Sequence, residues 1–409
     1  MKCRHCGAAL SLPFLDLGSA PPSNAYLTAA ALSAPEVWYP LRLLVCETCW
    51  LVQTEDHAGR EALFADDYAY FSSFAASWLA HSRAYVEAMR ARFGLGPQSL
   101  VAEVAANDGY LLQYVKQAGI ACYGIEPTAS TAAAARAKGI DIVERFFGVD
   151  LAAELAAEGR QVDLVAANNV LAHVPDINDF VAGFAMLLKP QGVATFEFPH
   201  LMKMVEHNQF DTAYHEHYSY LSLTVVTRIF AANGLAVVDV DELPTHGGSL
   251  RVYARRSDSA ALTRTPAVDA LLRREADAGM MTASYYAGFQ ARADKVKDDF
   301  AAFLIDAKRA GKVVAAYGAA AKGNTLLNYA GIRPDLMSFV ADRNPAKRGR
   351  WMPGSRIPIV DEARLSLEQP DYVVLLPWNL SSELERQLDG TCAWGARFVT
   401  AVPSLRVWP

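Results

Sequence analysis

Twice along this chain, short apolar runs alternate with helical stretches through tight turns of small residues. That alternation restricts the fold more than any other feature. The first series opens at Leu100-Val101-Ala102-Glu103-Val104, passes Ala105-Ala106-Asn107-Asp108-Gly109, and enters a helical stretch ending near Ala118. Strands follow over 121–125, ending in Glu126, over 140–143, over 162–167, ending at Asn168-Asn169, and over 192–198. A second series reads as a strand over 312–317, the turn Gly318-Ala319-Ala320-Ala321-Lys322-Gly323-Asn324-Thr325, and a strand over 337–341 ending at Asp342. Two further strands are expected over 372–376 and 397–402. A strand followed by a helix returns to pair in parallel, so both series predict doubly wound parallel sheets. The expected fold is α/β. It has a Rossmann-like core closed by strands over 235–240 and 249–254, a mainly helical bridge over 258–312, and a second, smaller Rossmann-like unit.

The N-terminus is different. Cys3-Arg4-His5-Cys6 and Cys46-Glu47-Thr48-Cys49 are two CxxC pairs, and they hold four of the six cysteines. Each pair bends the chain so that two thiolates face one ion, and two pairs complete a tetrahedral sulfur site suited to zinc. All four positions are then filled, so Cys3, Cys6, Cys46 and Cys49 are expected to fold a small domain and not to do chemistry. Cys122 and Cys392 sit in apolar surroundings and read as core. The domain expectation is 1–70, 71–257 and 258–409, in keeping with 409 residues. The net charge of −6 argues against a polyanionic partner. No run is apolar and long enough to span a membrane, and the start Met1-Lys2-Cys3 lacks an apolar leader core. A cytoplasmic protein is expected.

The first glycine turn departs from G-x-G-x-x-G, with Ala105 and Asn107 where glycine is usual. The acid Glu126 at the end of the second strand suits the two hydroxyls of an adenosine ribose. Both NAD and S-adenosylmethionine fit such a turn. The polar Asn168-Asn169 followed by Val170-Leu171-Ala172-His173 favours the second. The later glycine turn misses the P-loop, since Asn324-Thr325 follows Gly323 where Lys and Ser or Thr are required. Lys322 at that helix start can still meet a diphosphate.

Residues 214–218 read Tyr-His-Glu-His-Tyr. Two histidines flanking a carboxylate, closed by phenols, supply what is needed to remove a proton from carbon beside a carbonyl. A His-Glu-x-x-His metal site is excluded, because the residue four after His215 is Ser219. In an extended strand Tyr214 and Glu216 would face away from His217. For the three to meet, the segment must be a turn.

The two CxxC pairs, Glu103 to Gly109, Asn168-Asn169…His173, Tyr214-His215-Glu216-His217, His246-Gly247-Gly248-Ser249-Leu250-Arg251 and Gly318…Lys322-Gly323-Asn324 occur in one order. In that order the chain resembles the S-adenosylmethionine-dependent C-methyltransferases of nucleotide-linked deoxysugars, over nearly its whole length. The resemblance implies a zinc-binding domain, a methyltransferase core and a C-terminal domain of the 3-C-methyltransferase type. It implies methylation of a nucleotide-linked, dTDP-type, 4-keto-deoxysugar at C3. It makes His217 the base, Tyr214 and Glu216 its partners, and His173 and Tyr68 pocket residues. Glu103, Ala105, Asn107, Asp108, Gly109, Glu126 and Asn168 would hold the cofactor, and Lys322, Asn324 and Arg251 the substrate. His215 is expected to be structural. One chain is expected to form a complete site as a monomer. Two alternatives stay open: a zinc-ribbon nucleic-acid-binding protein, and a nicotinamide-dependent sugar oxidoreductase, although no Tyr-x-x-x-Lys pair follows the fourth strand.

Overall fold

Three β-sheets carry the fold. The computed structural model describes residues 1–57, 59, 71–388 and 394–409. Tyr68 and Cys392 lie outside the described residues, as does most of the aromatic run that begins at Asp66.

The N-terminal sheet contains β1 (Leu12–Ala20), β2 (Tyr39–Val45) and β3 (Val52–Thr54), all antiparallel. Its fourth strand is Ser219–Tyr220, which pairs with β3 from far along the chain. Alternating burial along β1 and β2 gives this sheet one apolar face.

The central sheet is built from β4 (Leu100–Val104), β5 (Ala121–Ile125), β6 (Asp141–Val143), β7 (Val162–Asn168) and β8 (Leu188–Pro199), then, after β9 (Ser219–Tyr220), from β10 (Leu235–Leu243) and β11 (Ser249–Arg256). Their spatial order is β10-β11-β8-β7-β4-β5-β6. The pairs β4–β5, β5–β6, β4–β7 and β7–β8 are parallel, and β11 runs antiparallel to both β8 and β10. Helices cover both faces, so β4 and β7 are buried almost throughout and carry Val, Leu and Ala without alternation. The order in which successive strands are added reverses between the parallel neighbours β4 and β7, and ligands of such sheets bind beyond the carboxyl ends at that point.

After the helices Pro266–Asp277, Ala283–Tyr286 and Phe289–Arg309, the third sheet repeats the plan. It holds β12 (Val314–Tyr317), β13 (Val340–Ala341), β14 (Ile359–Val360), β15 (Tyr372–Leu375), β16 (Arg397–Thr400) and β17 (Arg406–Trp408). The order is β14-β13-β12-β15-β16-β17, parallel except for β17. Its reversal lies between β12 and β15. The expected α/β architecture with two Rossmann-like units is therefore present, and the bridge over 258–312 is helical as anticipated.

The three sheets share cores. Phe14 and Leu43 of the N-terminal sheet, Phe210, Phe289, Leu327 and Met352 belong to one buried cluster. Cys3, Cys46, Cys49 and Leu51 pack into the cluster under the central sheet, with Ile177 and Phe230.

Candidate active site

The reversal points of the two parallel sheets open into one cavity of about 600 Å³. Its walls come from both sheets, from the turn at 212–217, and from Asn24 in the N-terminal region.

On the central-sheet side, the turn after β4 takes a left-handed backbone. Ala105 has φ 59°, Asn107 φ 49° and Gly109 φ 75°. The backbone thus makes the tight turn that glycines usually make, with alanine and asparagine bearing the conformational cost. At Gly109 a side chain is also excluded, because a Cβ would stand 2.4 Å from Ile140 Cδ1. Glu126 at the end of β5 accepts the Asn107 backbone N–H at 2.9 Å and the Thr128 backbone N–H at 3.0 Å. Burial raises its pKa while those N–H groups oppose the rise. Glu103 is fully buried; burial holds its pKa well above the usual range, and Tyr110 opposes the rise. Asn168, buried at the end of β7, keeps Oδ1 without a partner among the described residues. Ala105, Asn107, Glu126 and Asn168 line the cavity, whereas Glu103, Asp108 and Gly109 shape the turn behind it. Asp108 faces Lys138 at 3.3 Å.

Residues 214–217 form a turn closed by the His217 N–H on the Tyr214 carbonyl at 2.9 Å. This is the non-strand geometry that the alternation argument demanded. His217 Nδ1 lies 2.8 Å from the Thr212 carbonyl, so that nitrogen carries the proton and donates. Nε2 is left as acceptor and meets the Tyr214 hydroxyl at 2.7 Å. Burial lowers the pKa of His217 well below 6.5, and His173, Lys322 and His246 lower it further by charge. His173 stands edge-on to His217 with ring centroids 4.6 Å apart, and its Nδ1–H donates to the Glu216 carbonyl at 2.9 Å. Burial pushes the His173 pKa down to about 4. The Glu216 carboxylate is buried and takes the Asn24 amide on both oxygens, at 2.9 and 2.7 Å. His215 turns away, meeting the Pro40 carbonyl at 3.2 Å and the Tyr39 ring, in the structural role expected of it.

The C-terminal sheet contributes Lys322, Pro377 and Asn379. Lys322 Nζ donates to Asn379 Oδ1 at 2.7 Å and lies 4.6 Å from the centre of the Trp378 ring. The Trp378 indole N–H in turn reaches Asp211 at 2.7 Å. Asn324, by contrast, is completely buried and does not line the cavity. Nor does Arg251. Its guanidinium grips Glu197 at 2.5 Å and comes within 3.4 Å of His81 Nε2, so Arg251 stands directly behind the wall it was expected to form. His81 and Trp78, stacked at 4.9 Å, do line the cavity, together with His246 and Lys347. Of these, only His246 fell inside a run that the sequence singled out. Asn24 follows Pro21-Pro22 in a loop and carries no sequence signal for the site.

The Sγ atoms of Cys3, Cys6, Cys46 and Cys49 all lie within 4.8 Å of one another. A tetrahedral zinc with Zn–S near 2.3 Å requires sulfurs roughly 3.8 Å apart, so this donor set fits the ion. The site is tied to the turn at 214–217. Arg4, between Cys3 and Cys6, donates to the Thr54 carbonyl at 3.0 Å and the Pro175 carbonyl at 2.9 Å. Thr54 Oγ1 donates to the His217 carbonyl at 3.1 Å.

Comparison with known proteins agrees with this arrangement. Residues 3–64 match a zinc binding domain family, 78–240 a methyltransferase domain family, and 244–403 the C-methyltransferase C-terminal domain family. The chain is 33% identical over 406 residues to C-methyltransferase NovU of Streptomyces niveus, covering 99% of this chain and 96% of that one. The chain belongs to the C-methyltransferase family. It is an S-adenosylmethionine-dependent enzyme with a zinc-binding N-terminal domain. Among solved structures, the magnesium protoporphyrin IX methyltransferase of Synechocystis PCC 6803 with bound S-adenosylmethionine is 20% identical, with TM-score 0.34 over 44% of this chain and 81% of that one. The 1,6-didemethyltoxoflavin-N1-methyltransferase of Burkholderia thailandensis is also 20% identical, with TM-score 0.38 over 51% of this chain and 96% of that one. For the cofactor, the left-handed turn, the Glu126 carboxylate and the unpartnered Asn168 oxygen fit an adenosyl group and its amino-acid tail. Among the described residues, no helix is long and apolar enough to cross a membrane.

Proposed function

We propose that this enzyme methylates the carbon beside the ketone of a nucleotide-linked 4-keto-deoxysugar, with dTDP as carrier and C3 as the carbon. The observation that carries the proposal is the Tyr214–His217 pair. It sits in the same cavity as the Glu126 and Asn168 end of the central sheet, and the Thr212 carbonyl fixes its tautomer. In this reading residues 1–70, 71–257 and 258–409 are the zinc-binding, methyl-transfer and substrate-binding domains, and one cytoplasmic chain suffices.

S-adenosylmethionine supplies an electrophilic methyl group. The protein's task is to make carbon nucleophilic. A 4-keto group acidifies the neighbouring C–H, and the proton leaves for the Tyr214–His217 pair with His217 Nε2 as final acceptor. A neutral imidazole is required for this, and burial keeps His217 neutral. Glu216, held by Asn24, and His173, held by the Glu216 carbonyl, fix the turn that presents the pair. Glu126, Asn168 and the turn at Ala105–Asn107 orient the cofactor. Lys347 meets the negative charge of the substrate's nucleotide. Arg251 and Asn324 act behind these groups and touch no ligand.

The test is a panel of nucleotide-linked ketosugars incubated with S-adenosylmethionine and read by mass spectrometry. A gain of one methyl on the dTDP-4-keto-deoxysugar is expected; methylation of none of the panel would refute the proposal. In the His217→Asn variant, exchange of the proton beside the ketone should slow by about 10²–10⁴-fold. Exchange at the wild-type rate would remove His217 as the base.

A further inference from the structure

Lys322 begins as a candidate for gripping the diphosphate of a nucleotide sugar, but its surroundings point elsewhere. Its ammonium is fixed, by Asn379 Oδ1 at 2.7 Å and by the Trp378 face at 4.6 Å. Burial lowers its pKa, and the charge of Asp211, acting through space, opposes that fall and favours the ammonium. The Asp211 carboxylate is already engaged by the Trp378 indole. Among the described residues, the lysine therefore reaches the cavity as a cation without a contacting counter-charge, held in one direction by neutral groups.

It is also close to the base. Its charge bears on His217 and on His246, which both line the same cavity. A cation beside a base weakens that base, since it opposes formation of the imidazolium. That placement works against proton abstraction unless the same step creates an anion for the cation to meet. Proton removal beside a ketone does create one, on the ketone oxygen. The Tyr214 hydroxyl is spent on His217 Nε2, so the turn itself offers its phenol to the base and not to the oxygen. Lys347, on the same side of the cavity, stands in a different setting: it donates to the Ala319 carbonyl at 2.7 Å and lies beside the Tyr26 ring.

We propose that Lys322 is a catalytic residue that stabilises the enolate oxygen of the substrate, and that it does not bind the nucleotide's diphosphate. This rests on the ketosugar reading given above. In the step, the C–H bond beside the ketone breaks and its proton passes to the Tyr214 oxygen as the Tyr214 hydroxyl proton moves to His217 Nε2. The electron pair moves into a carbon–carbon double bond, and the ketone π pair becomes the oxyanion that receives the Lys322 N–H. The enolate carbon then forms a bond to the methyl group as the sulfur–methyl bond breaks and the ketone returns. The ammonium keeps its charge throughout, and the imidazolium gives up its proton to water.

The experiment uses full-length wild type, Lys322→Met and Lys322→Arg, with folding checked by thermal melting. It follows deuterium uptake from D₂O beside the ketone of a dTDP-4-keto-deoxysugar, with S-adenosylhomocysteine present so that no methyl transfer competes. Thymidine diphosphate binding is measured in parallel by calorimetry. Lys322→Met should slow exchange at least about 100-fold, the scale on which loss of one oxyanion donor is felt. Its affinity for thymidine diphosphate should stay within about twofold, and Lys322→Arg should recover part of the exchange. Exchange in Lys322→Met at the wild-type rate overturns the assignment. So does a loss of thymidine diphosphate affinity that matches the loss of exchange, because that is the signature of a diphosphate ligand. Wild-type exchange is read separately: its absence would undo the ketosugar reading itself, whatever the variants do.

Discussion

His217 carries a hydrogen bond on each ring nitrogen, and the two together decide its tautomer. With Nδ1–H on Thr212, only Nε2 is left to accept, toward Tyr214. Burial lowers the pKa of His217, and takes those of His173 and His246 down to about 4. On the acid side, kcat/KM should therefore be flat from pH 8 down through 6.5, with no break at the ordinary imidazole value; a break near 6.5 would show a base that is not buried. Stability has the opposite dependence on acid. The folded-state values are depressed, so as pH falls below 6.5 the unfolded chain takes up protons that the folded chain refuses. Stability should be full above 6.5 and be lost progressively toward pH 4, measurable as a falling denaturation midpoint. Asn24 offers a second residue-level test. Asn24→Ala leaves the buried Glu216 carboxylate without its amide donor and should cost roughly 1–3 kcal/mol in urea unfolding, with slower methyl transfer. At this scale the sequence was informative where chemistry is concentrated in one run, as at 214–217. It was silent on Asn24, because a loop asparagine acquires a role only when folding brings it to a carboxylate 192 residues away. It misled at Arg251, whose position in a distinctive run marked it as a ligand-binding residue although its charge is consumed by Glu197.

Among the elements, the short pairing of β3 with β9 matters beyond its size. It attaches the CxxC domain directly behind the turn at 214–217, through Thr54 on the carbonyls of His217 and Tyr218. On the proposed role of His217, a zinc ion held by the four cysteines would support the chemistry through these contacts. Cys6→Ser should release zinc, lower Tm and slow methyl transfer by more than about tenfold, since displacement of reacting groups by an ångström is costly. Wild-type activity in a metal-free, folded variant would break this link. The four cysteines were legible from spacing alone. The fourth strand of their sheet was not: two residues of strand carry no periodicity, and their pairing depends on a partner from another part of the chain. The turn after β4 was legible as strand–turn–helix, but its backbone was not, because Ala105 and Asn107 occupy conformations that sequence rules assign to glycine.

Across the whole molecule, two parallel sheets direct their reversal points at one cavity, one side shaped for a methyl donor and the other carrying Lys322 and Lys347. Alternating strands and helices disclosed both sheets in the sequence; that they share a cavity follows only from tertiary packing around Phe210 and Leu327. The bond from Trp378 to Asp211 spans this arrangement, and a Cβ on Gly247 would stand 2.6 Å from the same indole. Trp378→Phe should therefore lower Tm and kcat while leaving S-adenosylmethionine affinity unchanged by calorimetry. The central claim is that carbon, not oxygen or nitrogen, receives the methyl group, at the position beside a sugar ketone. Its most direct test is transfer from S-adenosylmethionine carrying a ¹³C methyl, followed by NMR of the sugar product. A labelled C-methyl coupled to C3, with the ketone at C4 intact, is expected. A labelled methoxy signal, or no label on the sugar, would contradict it.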